Sequence, residues 1–367
     1  MGGLSALQVG LLHPGKRRFT RVSKRAKKIA LTTGGAVIVA GAWLGVTNRA
    51  AISDIPGLGG LISEPTTCPL SGVEPRRESA LTRPAVAVKV ENATVAYPLS
   101  GLEDAEIVYE ELIEGGVTRF MAIYHCSDPK KAGPVRSARM VDPAIMMPVT
   151  KILAFSGANE GVLQGLADAG VVALEENVAG AGLVRIPREG LSLEHTLYAD
   201  TVKLRKLGRK DFADPPPENF EFGELDEQGK KARSITIEFS SAAIINYTWS
   251  ERGWLRSHDG VPFMSDTGEQ IAVDNVLIEE HEVGFSDFVD VVGTPSPEIV
   301  DVSGSGRAVL FRDGRAIKGR WVRESATSPV AFETKSGKEM VFAPGSTWIE
   351  LVPSDAGELK GSFSFEA

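Results

Sequence analysis

Two arginines and an aspartate follow one another at three-residue intervals in AGPVRSARMVDP, residues 132–143. Arg136, Arg139 and Asp142 come after a Gly-Pro turn signal, in a part of the chain that is otherwise acidic. Guanidinium groups form paired hydrogen bonds with carboxylates and phosphates. The segment therefore requires an anionic partner, which is either a carboxylate of the same fold or a bound ligand.

A candidate source of such carboxylates is AEIVYEELIEGGVTRFMAIYHC, residues 105–126, which has the pattern of a β-hairpin. Its Gly-Gly pair suits a two-residue loop, and that register places Glu110 diagonally beside Arg119 on one sheet face. Glu111 then points to the opposite, apolar face. A carboxylate in such surroundings requires a cation or hydrogen-bond donors.

Two interpretations of the arginines remain open. In the structural one, Arg136 and Arg139 satisfy Glu110 and Glu111 within a packed ion-pair network, and nothing is bound. Asp142 likewise has a structural alternative, as the N-cap of a helix with proline at its first position. In the functional one, Arg119 already serves Glu110, so one guanidinium is left for a ligand.

The number of polar residues predicted at strand ends and in loops favours the functional interpretation, because α/β domains place their ligands there. The loop at 156–159 could also present backbone N–H groups to an anion. The candidate ligand-binding residues are Lys89, Asn92, Arg119, Arg136, Arg139 and Asn159. The candidate acids and bases are Glu111, Asp142 and His195.

The order of apolar patterns predicts two folded units. Short apolar runs alternate with helical patterns between residues 81 and 210, which indicates an α/β unit with a mixed sheet and flanking helices. Strand-like runs joined by turn signals such as Asp313-Gly314 predict a mostly antiparallel β unit at 233–353. The full division is a basic tail at 1–28, a membrane span or signal sequence at 29–47, a tether at 48–80, the α/β unit at 81–210, a linker at 211–232, the β unit at 233–353 and a tail at 354–367.

Charge is distributed unevenly along the 367 residues. The chain has a formal net charge of -8, and its first 28 residues carry eight Lys or Arg and no acid, so the remainder carries about -16. Nucleic-acid binding depends on a basic face that neutralises phosphates. So acidic a body argues against a nucleic-acid partner.

An uncharged run of 18 residues, IALTTGGAVIVAGAWLGV at 29–46, follows the basic tail. It is long enough to span a bilayer, and the basic flank predicts a single-pass membrane protein with a cytoplasmic N-terminus and an extracytoplasmic C-terminus. A cleaved signal peptide is the alternative, with Ala40-Gly41-Ala42 as a small-residue cleavage site. Both interpretations export the body of the chain.

Cys68 and Cys126 are the only two cysteines in the chain. Outside the cytoplasm two thiols readily form a disulfide, so we expect these two to pair. The alternative is two unpaired, buried thiols.

Several segments together resemble the YerB-like family of exported, membrane-attached bacterial proteins. They are PAVAVKVEN at 84–92, YEELIEGGVTRF at 109–120, AGPVRSARMVD at 132–142, EHTLYAD at 194–200, GRWVRE at 319–324 and PGSTWIELVP at 344–353. The resemblance implies export, attachment to the membrane and a two-domain layout. The family is one of unknown function, so the resemblance implies no reaction and no catalytic residues.

The standard catalytic sequence motifs are absent. The chain contains no G-x-S-x-G, no P-loop, no H-E-x-x-H and no paired C-x-x-C, and no histidine pair has metal-ligand spacing, so neither a cofactor nor a metal is expected. The first hypothesis is a membrane-anchored binding protein for an anionic cell-envelope ligand. The alternatives are an envelope transferase or hydrolase acting on a pyrophosphate-lipid or peptidoglycan, and a cell-surface scaffold for protein partners.

Overall fold

The structure is a computed structural model that describes residues 66–225, 229–289 and 293–367, all within the unit Pro56–Ala367. Its helices are α1 (Asp142–Met146), α2 (Glu160–Asp168), α3 (Glu176–Ala179) and α4 (Thr201–Gly208). Its strands are β1 (Val86–Glu91), β2 (Ile107–Leu112), β3 (Thr118–Tyr124), β4 (Ile152–Phe155), β5 (Val172–Glu175), β6 (Leu183–Arg185), β7 (Leu197–Ala199), β8 (Glu221–Phe222), β9 (Lys230–Lys231), β10 (Ser234–Ser240), β11 (Ala243–Ser250), β12 (Gly253–His258), β13 (Val261–Pro262), β14 (Ala272–Val273), β15 (Asn275–His281), β16 (Val283–Val289), β17 (Pro295–Ile299), β18 (Gly304–Arg312), β19 (Arg315–Arg323), β20 (Ala331–Thr334), β21 (Val341–Phe342), β22 (Thr347–Pro353) and β23 (Ser362–Glu366).

One large sheet runs through both predicted units. Its strand order is β20-β19-β18-β15-β22-β2-β3-β1-β4-β5, with β9 beside β19. Strand β22 belongs to the C-terminal half and pairs in parallel with both β15 and β2. The two halves are therefore joined edge to edge by backbone hydrogen bonds rather than only by a linker.

The two faces of this sheet pack against different layers. A second sheet, ordered β13-β12-β11-β10-β23 with β14 beside β12, shares one core with one face. Helices α1 and α2 belong to the core on the other face. Strands β1, β2 and β3 are buried at every position, because both of their faces are covered.

The predicted fold class is confirmed for both halves. The N-terminal half has a mixed arrangement, with β2, β3 and β1 antiparallel and β1, β4 and β5 parallel. The C-terminal half is mostly antiparallel, and Asp313 and Gly314 turn β18 into β19 with φ values of 50° and 65°. Those two positive φ angles suit the Asp-Gly pair, as the sequence predicts.

The predicted register of the β2–β3 hairpin is wrong by one residue. Its turn has Glu114–Gly116 as a 3-10 turn closed by the Ile113 N–H to the Val117 carbonyl, instead of a two-residue loop. Glu111 therefore pairs with Arg119. A one-residue shift moves every side chain to the other face, so Glu110 is not beside Arg119.

Segments expected to be a tether, a linker and a tail contribute to the fold. Leu70 in the tether is fully buried, and Phe222 in the linker lies in β8, which pairs with β21. The tail supplies β23, whose alternating Phe363 and Phe365 pack on the core of the second sheet. Apolar residues in otherwise polar segments explain these differences.

The disulfide between Cys68 and Cys126 is confirmed, with Cα atoms 6.2 Å apart. It fixes the start of the described chain to the end of β3. Among the described residues no helix is long and apolar enough to cross a membrane. The span predicted at 29–47 lies outside those residues.

Candidate functional site

The helix-covered face of the sheet carries a row of charged side chains across three adjacent strands. Glu91 of β1 and Glu111 of β2 both lie directly opposite Arg119 of the intervening β3. Lys89 precedes Glu91 by two residues on β1 and so points to the same face. Lys89, Arg119 and Glu111 are candidates from the sequence, whereas Glu91 is not, and the observed strand register places all four on one face.

Lys89, Glu111 and Asp142 form a buried triad at this face. The Lys89 ammonium donates to Oε1 of Glu111 and, over 2.8 Å, to Oδ1 of Asp142. All three residues are at most 3% exposed. Burial raises the pKa of Glu111, and Lys89 opposes that effect. Thus the primary cation for Glu111 is a lysine rather than one of the two arginines.

Asp142 does not act as a helix N-cap. It is the first residue of α1, and its other oxygen, Oδ2, accepts the backbone N–H of Arg139 over 2.7 Å. The predicted cap is wrong because the Asp142 carboxylate accepts hydrogen bonds from the Arg139 N–H and from Lys89 instead of from the helix. These two hydrogen bonds hold the loop that carries the arginines.

Arg119 is the most isolated cation of the cluster. The residue is 6% exposed. Among the described residues, its Nη1 donates only to the Ser137 carbonyl over a long 3.3 Å, and its Nε has no hydrogen-bond partner. No carboxylate within the described ranges lies in ion-pair distance of it. Burial, followed by repulsion from Arg139 and Arg136, lowers the pKa of Arg119 to about 9.

Arg139 contacts a carboxylate that the sequence did not select. Its Nη2 lies 2.5 Å from Oε2 of Glu114 in the hairpin turn, and its Nη1 donates to the Ala138 carbonyl over 2.9 Å. Burial raises the pKa of Glu114, but Arg139 and the hydroxyl of Ser296 outweigh that effect, so the pKa is lowered. The Nε of Arg139 is buried and has no hydrogen-bond partner in the part of the chain that the structure describes.

Arg136 and His195 share Glu91. The Nη1 of Arg136 is 3.6 Å from Oε1 of Glu91 and donates to the Glu194 carbonyl over 3.0 Å. The Nδ1 of His195 is 2.7 Å from Oε2 of the same carboxylate. His195 therefore borders the arginine cluster. Arg136, with 24% of its side chain exposed, is more open to solvent than Arg119 and Arg139.

The side chains of the two candidate asparagines and the backbone N–H of Ser156 make hydrogen bonds within the fold. Asn159 accepts the Val162 N–H over 2.9 Å and so caps α2. The Ser156 N–H donates to the carbonyl of Arg136 and is not available to an anion. Asn92 lies against the opposite sheet face, where its amide donates to Oε1 of Glu110 over 3.0 Å.

No metal centre is formed by the described residues, in which no three His, Cys, Asp or Glu side chains are grouped to hold an ion. The cluster is instead an arrangement of guanidinium groups beside a buried lysine–carboxylate triad. Such an arrangement is suited to binding a phosphate or a carboxylate.

Two family models match this chain, one in each half. Residues 70–213 match the profile described as "Protein of unknown function (DUF3048) N-terminal domain", and residues 235–349 match the corresponding C-terminal domain. The chain belongs to the DUF3048 family. The resemblance to the YerB-like family is thereby confirmed.

A curated relative and a solved structure agree with this assignment. "Putative lipoprotein YerB" of Bacillus subtilis (strain 168) is 28% identical over 297 residues, which are 78% of this chain and 86% of that protein. The crystal structure of the YerB protein from Bacillus subtilis is 26% identical and has a TM-score of 0.66 over 81% of this chain and 98% of that one.

A buried polar network joins the two DUF3048 domains, and the sequence analysis missed it. Arg256 of the C-terminal domain, fully buried, donates to both oxygens of Glu110 of the N-terminal domain over 3.0 and 2.7 Å. Glu350 lies beside Glu110 in the neighbouring strand and accepts the hydroxyl of Tyr247. Burial, then Glu110, raises the pKa of Glu350 well above its usual value. The alternation Trp254, Arg256, His258 is the signal that could have placed Arg256 inside.

The Arg256 guanidinium also lies among aromatic rings, 4.3 Å from Phe263 and 5.2 Å from both Phe120 and Trp348. Its Nε and Nη1 have no hydrogen-bond partner within the described part of the chain. These contacts make Glu110 and Asn92 components of the interface between the DUF3048 domains rather than of the arginine cluster.

A hairpin of the C-terminal DUF3048 domain, β16–β17, reaches the arginine cluster. The hydroxyl of Ser296 donates to Oε1 of Glu114 over 2.5 Å, and Glu111, Arg139 and Pro297 are among the residues lining a cavity of about 10 Å³. That volume corresponds to about one water molecule. Both DUF3048 domains therefore contribute residues around Arg139.

Proposed function

We propose that this DUF3048 protein is an exported, membrane-attached protein that binds an anionic cell-envelope ligand through Arg119, Arg136 and Arg139. Membrane attachment is supported by the relative named as a lipoprotein, and by the basic tail and apolar run at 29–47. In this proposal the segment 29–47 is an uncleaved membrane anchor, and the C-terminus of the chain is extracytoplasmic. A topology reporter fused after Ala367 that is active only in the cytoplasm would contradict this orientation.

The observation that carries the ligand proposal is the isolation of Arg119. A buried cation with no carboxylate of the described residues within ion-pair distance is costly, because the fold removes its water and supplies only distant counter-charges. Arg136 and Arg139 increase that cost, since their charges lower the pKa of Arg119. An anion bound between the three guanidiniums would remove the imbalance.

The neighbouring groups set the chemistry of the ligand. Arginine forks match the planar carboxylate and the tetrahedral phosphate, so either group fits the cluster. Glu91 and Glu114 already neutralise part of Arg136 and Arg139, so the positive charge left for a ligand is small. A ligand with one or two negative charges suits this balance better than a densely charged polymer segment.

The test is calorimetric titration of the full-length protein with inorganic phosphate, which carries one to two negative charges at neutral pH. We expect Arg119→Gln and Arg136→Gln each to weaken binding by about tenfold, as loss of one charge-assisted contact implies. Arg209→Gln is the matched control, because Arg209 is exposed in the same domain and has no assigned ion pair among the described residues. Equal affinities for all three variants would contradict the proposal.

A further inference from the structure

A cavity of about 520 Å³ lies beside the disulfide, away from the arginine cluster. Its volume is within the range of small-molecule sites, roughly 300–1,000 Å³. Both DUF3048 domains line it, and such sites occur preferentially at domain boundaries. The lining residues come from the segments 68–83, 103–106, 126–128, 272–274 and 345–346.

Acidic groups outnumber basic ones in this cavity. Six carboxylates and three guanidiniums line it, so its formal charge is negative and favours a cation. The carboxylates are Glu74, Glu103, Asp104, Glu106, Asp128 and Asp274, and the guanidiniums are Arg76, Arg77 and Arg83.

Two of the carboxylates are committed to the fold. Asp128 pairs with Arg83 over 2.9 Å and with Arg205 over 2.5 Å. Glu106 accepts the backbone N–H groups of His125, Cys126 and Ser127. Because their oxygens already accept these bonds, Asp128 and Glu106 are less available to a ligand than the remaining four carboxylates.

The remaining four carboxylates have no cationic partner within residues 66–225, 229–289 and 293–367. Glu103 accepts the hydroxyl of Ser265 over 2.8 Å, and Asp274 accepts the Ser346 N–H over 2.8 Å. Glu74 and Asp104 are exposed. The opening of the cavity therefore carries accessible, unneutralised carboxylates.

Ser71 supplies an independent indication that something is bound. The residue lines the cavity and is 3% exposed, yet its Oγ has no hydrogen-bond partner in the described part of the chain. Buried hydroxyl groups are almost always satisfied. A polar ligand atom in the cavity would satisfy this one.

We propose that the cavity binds a small organic cation that carries ammonium groups. An ammonium has three donors and no acceptor, which matches carboxylates such as Asp104 and Asp274 together with the free lone pairs of the Ser71 hydroxyl. The source of the ammonium is either a polyamine or an amine of a short peptide. This site is independent of the anion site and of the proposed function.

The experiment is titration of the full-length chain with spermidine, a lysine-containing tripeptide and the same tripeptide with its amines acetylated. We expect the two amines to bind and the acetylated peptide not to bind. Tighter spermidine binding identifies a polyamine site and tighter peptide binding a peptide site, and both outcomes support the ammonium class. Binding of the acetylated peptide with equal affinity would overturn it.

Variants locate the binding in the cavity. We expect Asp104→Asn to weaken spermidine binding about tenfold, as loss of one charge contact implies. Ser71→Ala should also weaken it, and Arg77→Gln should strengthen it by removing a repulsive charge. Asp274→Asn serves as a second carboxylate variant, since its amide oxygen still accepts the Ser346 N–H. The matched control is Glu189→Gln, an exposed acid outside the cavity lining.

The control decides between a site and diffuse attraction to the acidic body. If Glu189→Gln weakens spermidine binding as much as Asp104→Asn does, the cation is attracted to the whole surface and the proposal is wrong. If Asp104→Asn and Asp274→Asn both bind as the wild type does, the cavity is not the site. Circular dichroism of each variant establishes that the fold is retained.

Discussion

Replacing Arg119 by methionine should stabilise the ligand-free protein while weakening anion binding about tenfold. Methionine keeps most of the apolar stem in a position that is 6% exposed. The substitution loses one long hydrogen bond to the Ser137 carbonyl, about 1 kcal/mol. It also removes a buried charge whose desolvation costs several kcal/mol, together with its repulsion by Arg136 and Arg139.

The net expectation is a gain in the free energy of unfolding of about 1–3 kcal/mol, because attraction to Glu114 and Glu91 offsets part of the removed cost. For a unit of this size a gain of about 2 kcal/mol raises the melting temperature by roughly 4 °C. Differential scanning calorimetry of the full-length chain measures it. Arg209→Met, at an exposed position, is the control and should change the melting temperature little.

The pH dependence gives a second measure of the same effect. The pKa of Arg119 is lowered to about 9, so above that pH the folded protein holds fewer protons than the unfolded chain. The destabilisation of the fold by charged Arg119 is fully present below about pH 9. It is relieved as the pH rises from there toward the pKa of arginine in the unfolded chain. The advantage of Arg119→Met should therefore shrink above pH 9. A melting temperature several degrees below that of the wild type at neutral pH would refute the reasoning, since the guanidinium would then be well satisfied without a ligand.

Three further predictions concern the parts of the fold that support the site. Arg256→Met should lower the free energy of unfolding in urea by about 3–5 kcal/mol, because it leaves Glu110 buried without its cation, and a loss below about 1 kcal/mol would contradict this. Cys68→Ala should cost about 4 kcal/mol by the same measurement, since the disulfide closes a loop across a sequence separation of 58, and an unchanged urea midpoint would count against it. Burial alone would lower the pKa of His281, but Asp301 and Glu279 raise it to about 9. The stabilisation from protonated His281 is therefore complete below the unfolded pKa of about 6.5 and is lost as the pH rises through 9. His281→Gln should remove this pH dependence of the free energy of unfolding, and a profile identical to that of the wild type would disprove the assignment.

The hairpin of β2 and β3 shows why the site could be predicted only in outline. Alternation identified both strands, and the residue types nominated Glu111, Arg119 and Arg139 as candidate site residues. The loop geometry determined which glutamate belongs to it. Because side chains alternate between faces, the five-residue turn placed Glu110 in the domain interface and Glu111 beside Lys89.

The sequence was sufficient to predict features that depend on neighbouring residues or on few possible partners. The Asp313-Gly314 turn depends on short-range geometry, and the pairing of Cys68 with Cys126 depends on the small number of possible partners. The same holds for the mixed and antiparallel character of the two halves, which follows from the order of apolar runs.

Contacts between distant segments were decided by the tertiary structure alone. The sequence contains nothing that places β22 between β15 and β2, or Arg256 on Glu110 across 146 positions. These pairings depend on which faces remain to be buried once each half has formed its strands, and that is a property of the whole chain. Among the described residues, the same closure leaves Arg119 with no carboxylate in ion-pair distance and leaves acids without a cationic partner in the cavity beside the disulfide. The amino-acid sequence supplied the charges, and the packing of the two domains determined which of them stayed unpaired.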